Sequence, residues 1–367
     1  MKVFLALASL LLSQFVFSQS DYFIVSGKVT LASSGEPLQG ASVFAENTTL
    51  GTATDANGNF KLYLPNGGYD VIVTFTGLQS ESVRVTSSQT SSPLTFSLKQ
   101  KEKELDDVVV VASNEVKDGW ERYGGFFIKE FIGQTQNSSQ CLIKNPEVLK
   151  FYYSKKRDRL KVKAEEPLLI ENKALGYNIR YSLDSFTHEY ATQVSFYSGN
   201  PLFEEMKTDS LIQQALWDRA REEAYKGSML HFMRSLYNKT LKDEGFEVQF
   251  VITTKGVDRA EKLQDYYNSL RYTMNDSTGI VTIDPFQPNV GVLYMKEKPL
   301  PGFNILNEKE PSEFQFSILS IARGEPIMIE RNGFYFDQTD ITINAYYTWE
   351  KVGDQLPYDY REVKSVR

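Results

Sequence analysis

Residues 51–62, with the sequence GTATDANGNFKL, constrain the fold of this chain more than any other segment. They predict a β-strand, a turn built by Asp55, Asn57 and Gly58, and a second strand whose apolar residues alternate from Phe60 onward. Alternation of this kind places the apolar side chains of a strand on one face. The segment therefore predicts a small β-sandwich.

The flanking segments continue this pattern, so the region up to residue 98 consists of a run of predicted short strands. Further strands are expected at 24–30, 69–75, 81–86 and 94–98, with turns rich in Gly and Pro between them. By spacing alone, such strands favour a sandwich over a barrel only weakly.

A set of turn and core residues in this region follows the pattern of a known family. They are Gly27, Pro37, Leu38, Gly40, Ala41, Thr54, Asp55, Gly58, Phe60, Leu62, Gly68, Tyr69 and Leu98. With these residues the region resembles the carboxypeptidase regulatory-like domain. The resemblance implies a transthyretin-like β-sandwich, of the kind that bacteria place at the front of exported proteins and TonB-dependent outer-membrane receptors.

The first residues of the chain have the pattern of a signal peptide, expected over residues 1–18. A basic n-region precedes an apolar run over 3–12, and Val16 and Ser18 precede the expected cleavage before Gln19. The apolar run is too short for a membrane span. We therefore expect an exported chain, in the periplasm or on the periplasmic face of the outer membrane.

Three further segments are expected after cleavage. They are the sandwich over residues 19–99, a linker with a connecting strand over 100–117, and an α+β domain over 118–367. Residues 105–111 resemble the segment that joins such a sandwich to the plug of a TonB-dependent receptor. Too few residues follow for a receptor barrel, so we predict that Val108–Val111 form a buried strand of the next domain.

The α+β domain is predicted from mixed periodicities. Apolar residues at helical spacing predict a helix that ends near Gly133, and a hairpin is expected over 147–164. The longest predicted helix runs from Leu211 to about Asn238, with a capping box that begins at Ser210. The fold class is thus an all-β sandwich followed by an α+β domain with one long helix.

Composition excludes some classes of function. The net charge is −7 and no basic tail is present, so nucleic acid is not an expected partner. After residue 18 no apolar stretch reaches the roughly 20 residues that a membrane-spanning helix needs. The only cysteine, Cys141, cannot form an internal disulfide and is expected to be a small buried side chain.

Residues suited to catalysis or metal binding are scarce. The chain has two histidines, His188 and His231, and neither belongs to a zinc-type motif. No Gly-x-Ser-x-Gly elbow presents a serine. The turn at Asp55 lacks the glycine and acidic positions of a calcium loop, which leaves a plain Asx turn. We therefore predict no catalytic residue, no metal site and no cofactor.

Two groups of residues are candidate contacts for a ligand or partner. On the long helix, Ser228, His231 and Arg234 form an anion pocket in one interpretation. In the other, favoured interpretation, Gly227 permits close packing of the helix against the sheet, because glycine inside a helix usually has a packing reason.

The second group is a basic stripe on the predicted hairpin, formed by Arg159, Lys161 and Lys163, with Leu160 and Val162 on the opposite face. This stripe contacts an anionic lipopolysaccharide or an acidic partner in one interpretation. In the other it is the solvated face of an edge strand, where lysine prevents association between sheets.

These observations predict a non-enzymatic cell-envelope protein that works in binding or assembly, with an envelope protein or a glycan as its partner. Two alternatives remain open. One is a carbohydrate-binding protein of a polysaccharide-uptake system, which exposed aromatic residues would favour. The other is a hydrolase whose site assembles from distant residues, which a deep pocket containing His231, an acid and a nucleophile would favour.

Overall fold

The computed structural model describes residues 22–88, 92–101, 114–300, 302–303, 313–322, 324–336 and 341–362. The predicted signal peptide and the strand predicted at Val108–Val111 lie outside these residues. Within them, the chain forms an N-terminal β-sandwich followed by two sheet-based layers, each with helices packed against it. None of the described helices is both long enough and apolar enough to cross a membrane.

Seven strands build the sandwich. They are β1 (Tyr22–Leu31), β2 (Ser42–Ala45), β3 (Gly51–Ala53), β4 (Asn59–Pro65), β5 (Gly68–Thr74), β6 (Glu81–Thr86) and β7 (Leu94–Leu98). One sheet has the order β4-β1-β7 and the other β3-β2-β5-β6. Alternate residues of β4, starting at Phe60, are buried between the sheets in a core that the sandwich does not share with the rest of the chain.

The turn that dominated the sequence pattern has the expected geometry. The Asp55 carboxylate accepts hydrogen bonds from the backbone N–H groups of Asn57 (2.9 Å) and Asn59 (2.8 Å), which is a plain Asx turn. Gly58 adopts a positive φ of 76°, and a Cβ atom there would lie 2.5 Å from the Val29 carbonyl oxygen. Glycine is therefore required at this position, and the predicted sandwich is confirmed.

A six-stranded sheet forms the first layer of the α+β region. Its strands are β8 (Cys141–Ile143), β9 (Leu149–Ser154), β10 (Arg159–Ala164), β11 (Leu168–Asn172), β12 (Tyr177–Glu189) and β13 (Val194–Glu205). The order is β8-β11-β12-β10-β9, and β13 pairs along the opposite edge of β12. Helices α1 (Gly119–Phe131) and α2 (Leu211–Tyr225) contribute to the core on its inner face.

The second layer contains two smaller sheets around another core. One has the order β15-β14-β18-β19-β21 and the other β16-β17-β20. These strands are β14 (Phe246–Thr254), β15 (Val257–Lys262), β16 (Thr273–Met274), β17 (Val281–Ile283), β18 (Asn289–Tyr294), β19 (Gln315–Ile321), β20 (Ile327–Ile329) and β21 (Ile341–Ala345). The helices are α3 (Met229–Tyr237), α4 (Leu241–Glu244) and α5 (Tyr266–Ser269). The fold class predicted from the sequence is confirmed.

The boundary of the longest predicted helix needs correction, because Leu211 to Asn238 forms two helices. Gly227 adopts a positive φ of 76°, which ends α2, and Ser228 then caps the start of α3. The physical reason is that α2 packs on the core of the first layer whereas α3 packs on the second. The predicted start is confirmed, since the Ser210 hydroxyl accepts a hydrogen bond from the Gln213 N–H.

Candidate functional site

The sandwich is joined to the rest of the chain by backbone hydrogen bonds. The N–H of Asn47 donates to the Pro201 carbonyl (2.7 Å), and the N–H of Phe203 donates to the Thr48 carbonyl (2.8 Å). From the C-terminal segment, the N–H of Tyr358 donates to the Asn47 carbonyl (2.7 Å). The loop between β2 and β3 is thereby held beside the edge strand β13.

A second contact lies at the start of β5. The Asn332 side-chain amide donates to the Gly68 carbonyl (3.0 Å), and Glu330 packs so closely that a Cβ atom at Gly68 would lie 2.5 Å from its Cγ. The Arg84 guanidinium stacks over the Phe336 ring, 4.8 Å from its centroid. Two separate contacts therefore fix the orientation of the sandwich.

A carboxyl group lies at each contact, Glu330 buried and Glu46 half-buried. Glu330 is 3% exposed, and burial raises its pKa to about 7. Burial and the nearby carboxylates of Asp70 and Asp184 raise the pKa of Glu46 to about 7 as well. The contact between the domains thus contains groups that titrate near neutral pH.

A cleft of about 570 Å³ opens between the sandwich and the outer face of the six-stranded sheet. Ser42, Thr49, Gly51 and Thr52 form its roof, and side chains of β11, β12 and β13 form its floor. This volume lies in the range of small-molecule and short-peptide sites, roughly 300–1,000 Å³. We take this interdomain cleft as the candidate functional site.

A smaller cavity of about 340 Å³ adjoins the cleft and shares Thr49 with it. Its charged lining includes Arg221, which donates to the carbonyls of Leu175 (2.7 Å) and Gly176 (3.1 Å) and lies 4.0 Å from the Tyr177 ring centroid. Arg221 also pairs with Glu205 at 3.0 Å. Because the guanidinium of Arg221 already has these partners, it is not available to a ligand in the smaller cavity.

The residues of the predicted anion pocket lie near one another but have other partners. The Ser228 hydroxyl caps α3 by accepting from the His231 N–H (3.2 Å). The Arg234 guanidinium donates to the carbonyls of Asn332 (2.9 Å) and Tyr358 (2.9 Å). Gly227 packs against the second layer, as the favoured interpretation expected.

His231 is buried and holds a defined tautomer. Its Nδ1 accepts a hydrogen bond from the Gly227 N–H (3.1 Å), so its proton is on Nε2, which faces Glu244 at 3.4 Å. Burial lowers the pKa of His231 well below its usual range, against the opposing effect of Glu244. His231 does not line the interdomain cleft.

His188 belongs to a second polar cluster, in which the hydrogen bonds run in a different direction from those of a catalytic triad. The Ser195 hydroxyl donates to Glu130 (3.1 Å) and therefore accepts from Nδ1 of His188 (2.9 Å). His188 is thus a donor toward the serine, whereas a triad histidine removes the serine proton. Its Nε2 is buried, without a hydrogen-bond partner among the described residues, beside the Phe126 and Tyr190 rings.

The interpretation that places the basic stripe on an edge strand is wrong. Strand β10 lies inside the sheet, with β9 on one side and β12 on the other. Leu160 and Val162 are buried, and Arg159, Lys161 and Lys163 project from the outer face, as expected. Arg159 forms an ion pair with Glu189, its direct neighbour on β12.

Metal and thiol chemistry have little support in the part of the chain that the structure describes. No group of three or more His, Cys, Asp or Glu side chains there has a metal-binding arrangement. Cys141 is partly buried, and burial raises the pKa of its thiol to about 12. A thiol with this pKa remains protonated and is a weak nucleophile.

Local patterns in the sequence do not predict the floor of the cleft. Leu169 lies within the apolar run 168–170, whereas Arg180 lies in the segment 179–183, where polar and apolar residues alternate. That alternation is the one signal available in the sequence. It does not show that Leu202 joins them or that the sandwich covers the same face.

Comparison with known proteins assigns the first domain. The model of the CarboxypepD_reg-like domain family matches residues 25–110. The N-terminal sandwich is a carboxypeptidase regulatory-like domain. This domain supplies the roof of the cleft, whereas the floor comes from strands outside the matched region.

Two curated relatives match the same region. The chain is 37% identical over 83 residues to the TonB-dependent receptor SusC of Bacteroides thetaiotaomicron, which is 23% of this chain and 8% of the receptor. It is 28% identical over 93 residues to the TonB-dependent receptor P3 of Formosa agariphila, which is 25% of this chain and 9% of that receptor. The similarity therefore covers the carboxypeptidase regulatory-like domain and a small part of each receptor.

Among solved structures, a DUF3823 family protein from Bacteroides ovatus aligns over 50% of this chain and 81% of its own. The sequence identity is 10% and the TM-score 0.17. A TM-score of 0.17 does not indicate a shared overall fold.

Proposed function

We propose that this chain is an exported, non-enzymatic binding or assembly protein of the cell envelope, and that it holds its partner in the interdomain cleft. The observation that carries the proposal is the cleft itself, where a carboxypeptidase regulatory-like domain covers a sheet face with unused polar groups. Arg180 lines the floor and forms no ion pair with any residue that the structure describes. A bound partner would supply the missing contacts.

The lining of the cleft supports binding more than catalysis. The described residues that surround it include no histidine and no cysteine. His231 and His188 are both buried elsewhere and engaged with their own neighbours. A hydrolase would need a base next to a nucleophile, so this alternative is less well supported.

Export to the envelope is supported by the signal-peptide pattern of residues 1–18 and by the similarity of the sandwich to domains of TonB-dependent receptors. N-terminal sequencing of the protein from fractionated cells tests this directly. We expect a mature chain that begins at Gln19 in the periplasmic or outer-membrane fraction. A predominant form that retains Met1 in the cytoplasm would contradict the proposal.

Binding in the cleft is tested by site-specific photo-crosslinking in living cells. A photoreactive amino acid replaces Leu169, which is 43% exposed on the cleft floor, or Val257, which is 58% exposed on β15. We expect a discrete crosslinked product from position 169 and none of that mass from the control position. Equal labelling at both positions, or none at either, would contradict binding of a partner in the cleft.

The basic stripe lies on the same outer face of the sheet as the cleft floor. We propose that Arg159, Lys161 and Lys163 extend the binding surface toward an acidic partner. Replacement of all three by serine should reduce the yield of the crosslink from Leu169, most clearly at low salt, since exposed charges are screened over roughly 8 Å at physiological ionic strength. An unchanged yield at every salt concentration would show that the basic stripe is only solvated and does not contact the partner.

Carbohydrate binding remains the second candidate, and one surface favours it. Tyr63 on β4 is 55% exposed beside its partner Ile24, which is 47% exposed. A tyrosine on a flat sheet face offers apolar area with a polar tip. If this surface binds glycans, Tyr63→Ala should abolish retardation of the protein in gels that contain the polysaccharide, while Val257→Ala, at an exposed position of β15 outside the sandwich, retains it.

A further inference from the structure

The floor of the interdomain cleft has a defined cross-strand row at its centre. Arg180 on β12 has Leu169 on β11 as one direct partner and Leu202 on β13 as the other. Direct partners in an antiparallel sheet project from the same face, with Cβ atoms about 4.5–5.5 Å apart. The guanidinium is therefore flanked on both sides by aliphatic side chains.

Arg180 differs in this respect from other basic residues of the same sheet. Arg159 faces Glu189 directly and forms an ion pair with it. Lys150 pairs with Glu165 at 3.7 Å. Arg180 has no carboxylate as a direct cross-strand partner and forms no ion pair with a described residue, so its exposed guanidinium is available to a bound group.

The groups around Arg180 are also free to bind. Asn178 and Glu204, one row along the floor, make no side-chain hydrogen bond or ion pair within the described ranges. The same holds for Ser42 and Thr52 of the described roof. The cleft thus presents the unpaired Arg180 between two aliphatic side chains, the Lys144–Glu171 ion pair (4.0 Å), the Glu204 carboxylate, and hydrogen-bonding groups on both walls.

We propose that the cleft binds an extended peptide segment of a partner protein, with an acidic side chain on Arg180 and aliphatic side chains on Leu169 and Leu202. Arginine suits this role because its planar guanidinium binds a carboxylate through two parallel hydrogen bonds. The free amide and hydroxyl groups of the walls bind the peptide backbone. The inference rests on the proposed binding function and specifies the chemistry of its partner.

A peptide fits the lining better than a glycan does. Sugar rings are held by exposed aromatic faces, and the one aromatic residue among the described lining, Phe203, is 1% exposed. Leu169 and Leu202 instead provide small aliphatic surfaces on β11 and β13, on either side of Arg180 on β12.

The test is selection from a random heptapeptide library displayed on phage, with the mature chain from Gln19 as bait. We expect the parent to enrich peptides in which Asp or Glu lies between aliphatic residues. Arg180→Gln should lose the acidic preference and bind the best selected peptide about tenfold more weakly or worse. Arg180→Glu should select Lys or Arg at that position instead.

Arg259→Gln is the matched control, because Arg259 is exposed on β15 and forms no ion pair with a described residue. This variant should select the same peptides as the parent. If the parent enriches no peptide, or if Arg180→Gln retains the acidic preference, the proposed chemistry is wrong. A persistent crosslink from position 169 would then leave binding in the cleft intact, so the two proposals fail separately.

Discussion

At the scale of single residues, Gly227 has a strict steric requirement. It has a φ of 76°, and a Cβ atom would lie 2.4 Å from Gln315 Oε1 and 2.6 Å from Tyr294 Cδ1. Gly227→Leu should therefore lower the free energy of unfolding by about 1–3 kcal/mol through overpacking. Urea denaturation of the purified variant measures this loss.

Gly125 is the control for that substitution. It lies in α1, and no atom lies within 4 Å of a Cβ placed there. Gly125→Leu should leave the stability unchanged or raise it, because leucine favours a helix over glycine by somewhat less than about 1 kcal/mol. Equal losses in the two variants would show that close packing at Gly227 is not the cause.

At the scale of elements, the break between α2 and α3 determines whether Ser228→Ala lowers or raises the stability. The Ser228 hydroxyl accepts from the His231 N–H (3.2 Å) and caps α3. Ser228→Ala should therefore cost about 1 kcal/mol, the usual cost of losing such a cap. In one continuous helix the same change would stabilise, because alanine is the better helix former.

The start of α2 provides the reference for this measurement. Ser210 makes the same capping contact, with the Gln213 N–H at 3.2 Å. Ser210→Ala should cost a similar amount whether one helix or two follow. A loss at Ser210 together with a gain at Ser228, both from urea denaturation, would contradict the two-helix arrangement.

At the scale of the whole molecule, the sandwich has its own core but is joined to the second part by backbone and side-chain contacts. Because the core is separate, a fragment over residues 19–101 should fold alone as a β-sandwich. Circular dichroism should show sheet structure, and urea should unfold it in one cooperative transition. A fragment with no cooperative transition would place the domain boundary elsewhere.

The contact between the two parts also predicts a dependence of stability on pH. Burial raises the pKa of Glu330 to about 7 from the ordinary value of 4.5. The folded state thus binds more protons than the unfolded state between these values, and stability falls as pH rises through this window. Below pH 4.5 both states are protonated, and this penalty is absent.

Glu330→Gln removes this titration. The stability of the variant relative to the parent should therefore increase from about pH 4.5 to about pH 7 and then level off. Urea denaturation across this range measures the difference in stability between the variant and the parent. The titrations of Glu46 and His231 cancel in this difference because both proteins contain them. Glu325→Gln, on an exposed residue, is the control. An identical pH dependence in parent and Glu330→Gln would show that Glu330 does not carry the effect.

The sandwich could be predicted because its signals are local. The Asx turn at Asp55, the glycine at 58 and the alternation that begins at Phe60 all act within a few residues, and the structure has each of them. The α+β class and the start of α2 at Ser210 are confirmed for the same reason. The break at Gly227 was missed because helical periodicity continues past it, whereas the partners that require the break come from β18 and β19.

The amino-acid sequence by itself thus determined the first domain, the strand and helix signals of the second, and the scarcity of catalytic side chains. Only the tertiary structure decided the candidate site. Arg180 meets Leu169 and Leu202 through strand pairing, and the roof comes from a separate domain. Likewise, β10 became an inner strand because β12 pairs with it. Contacts between distant segments depend on register and on domain docking, which a local pattern of residues does not contain.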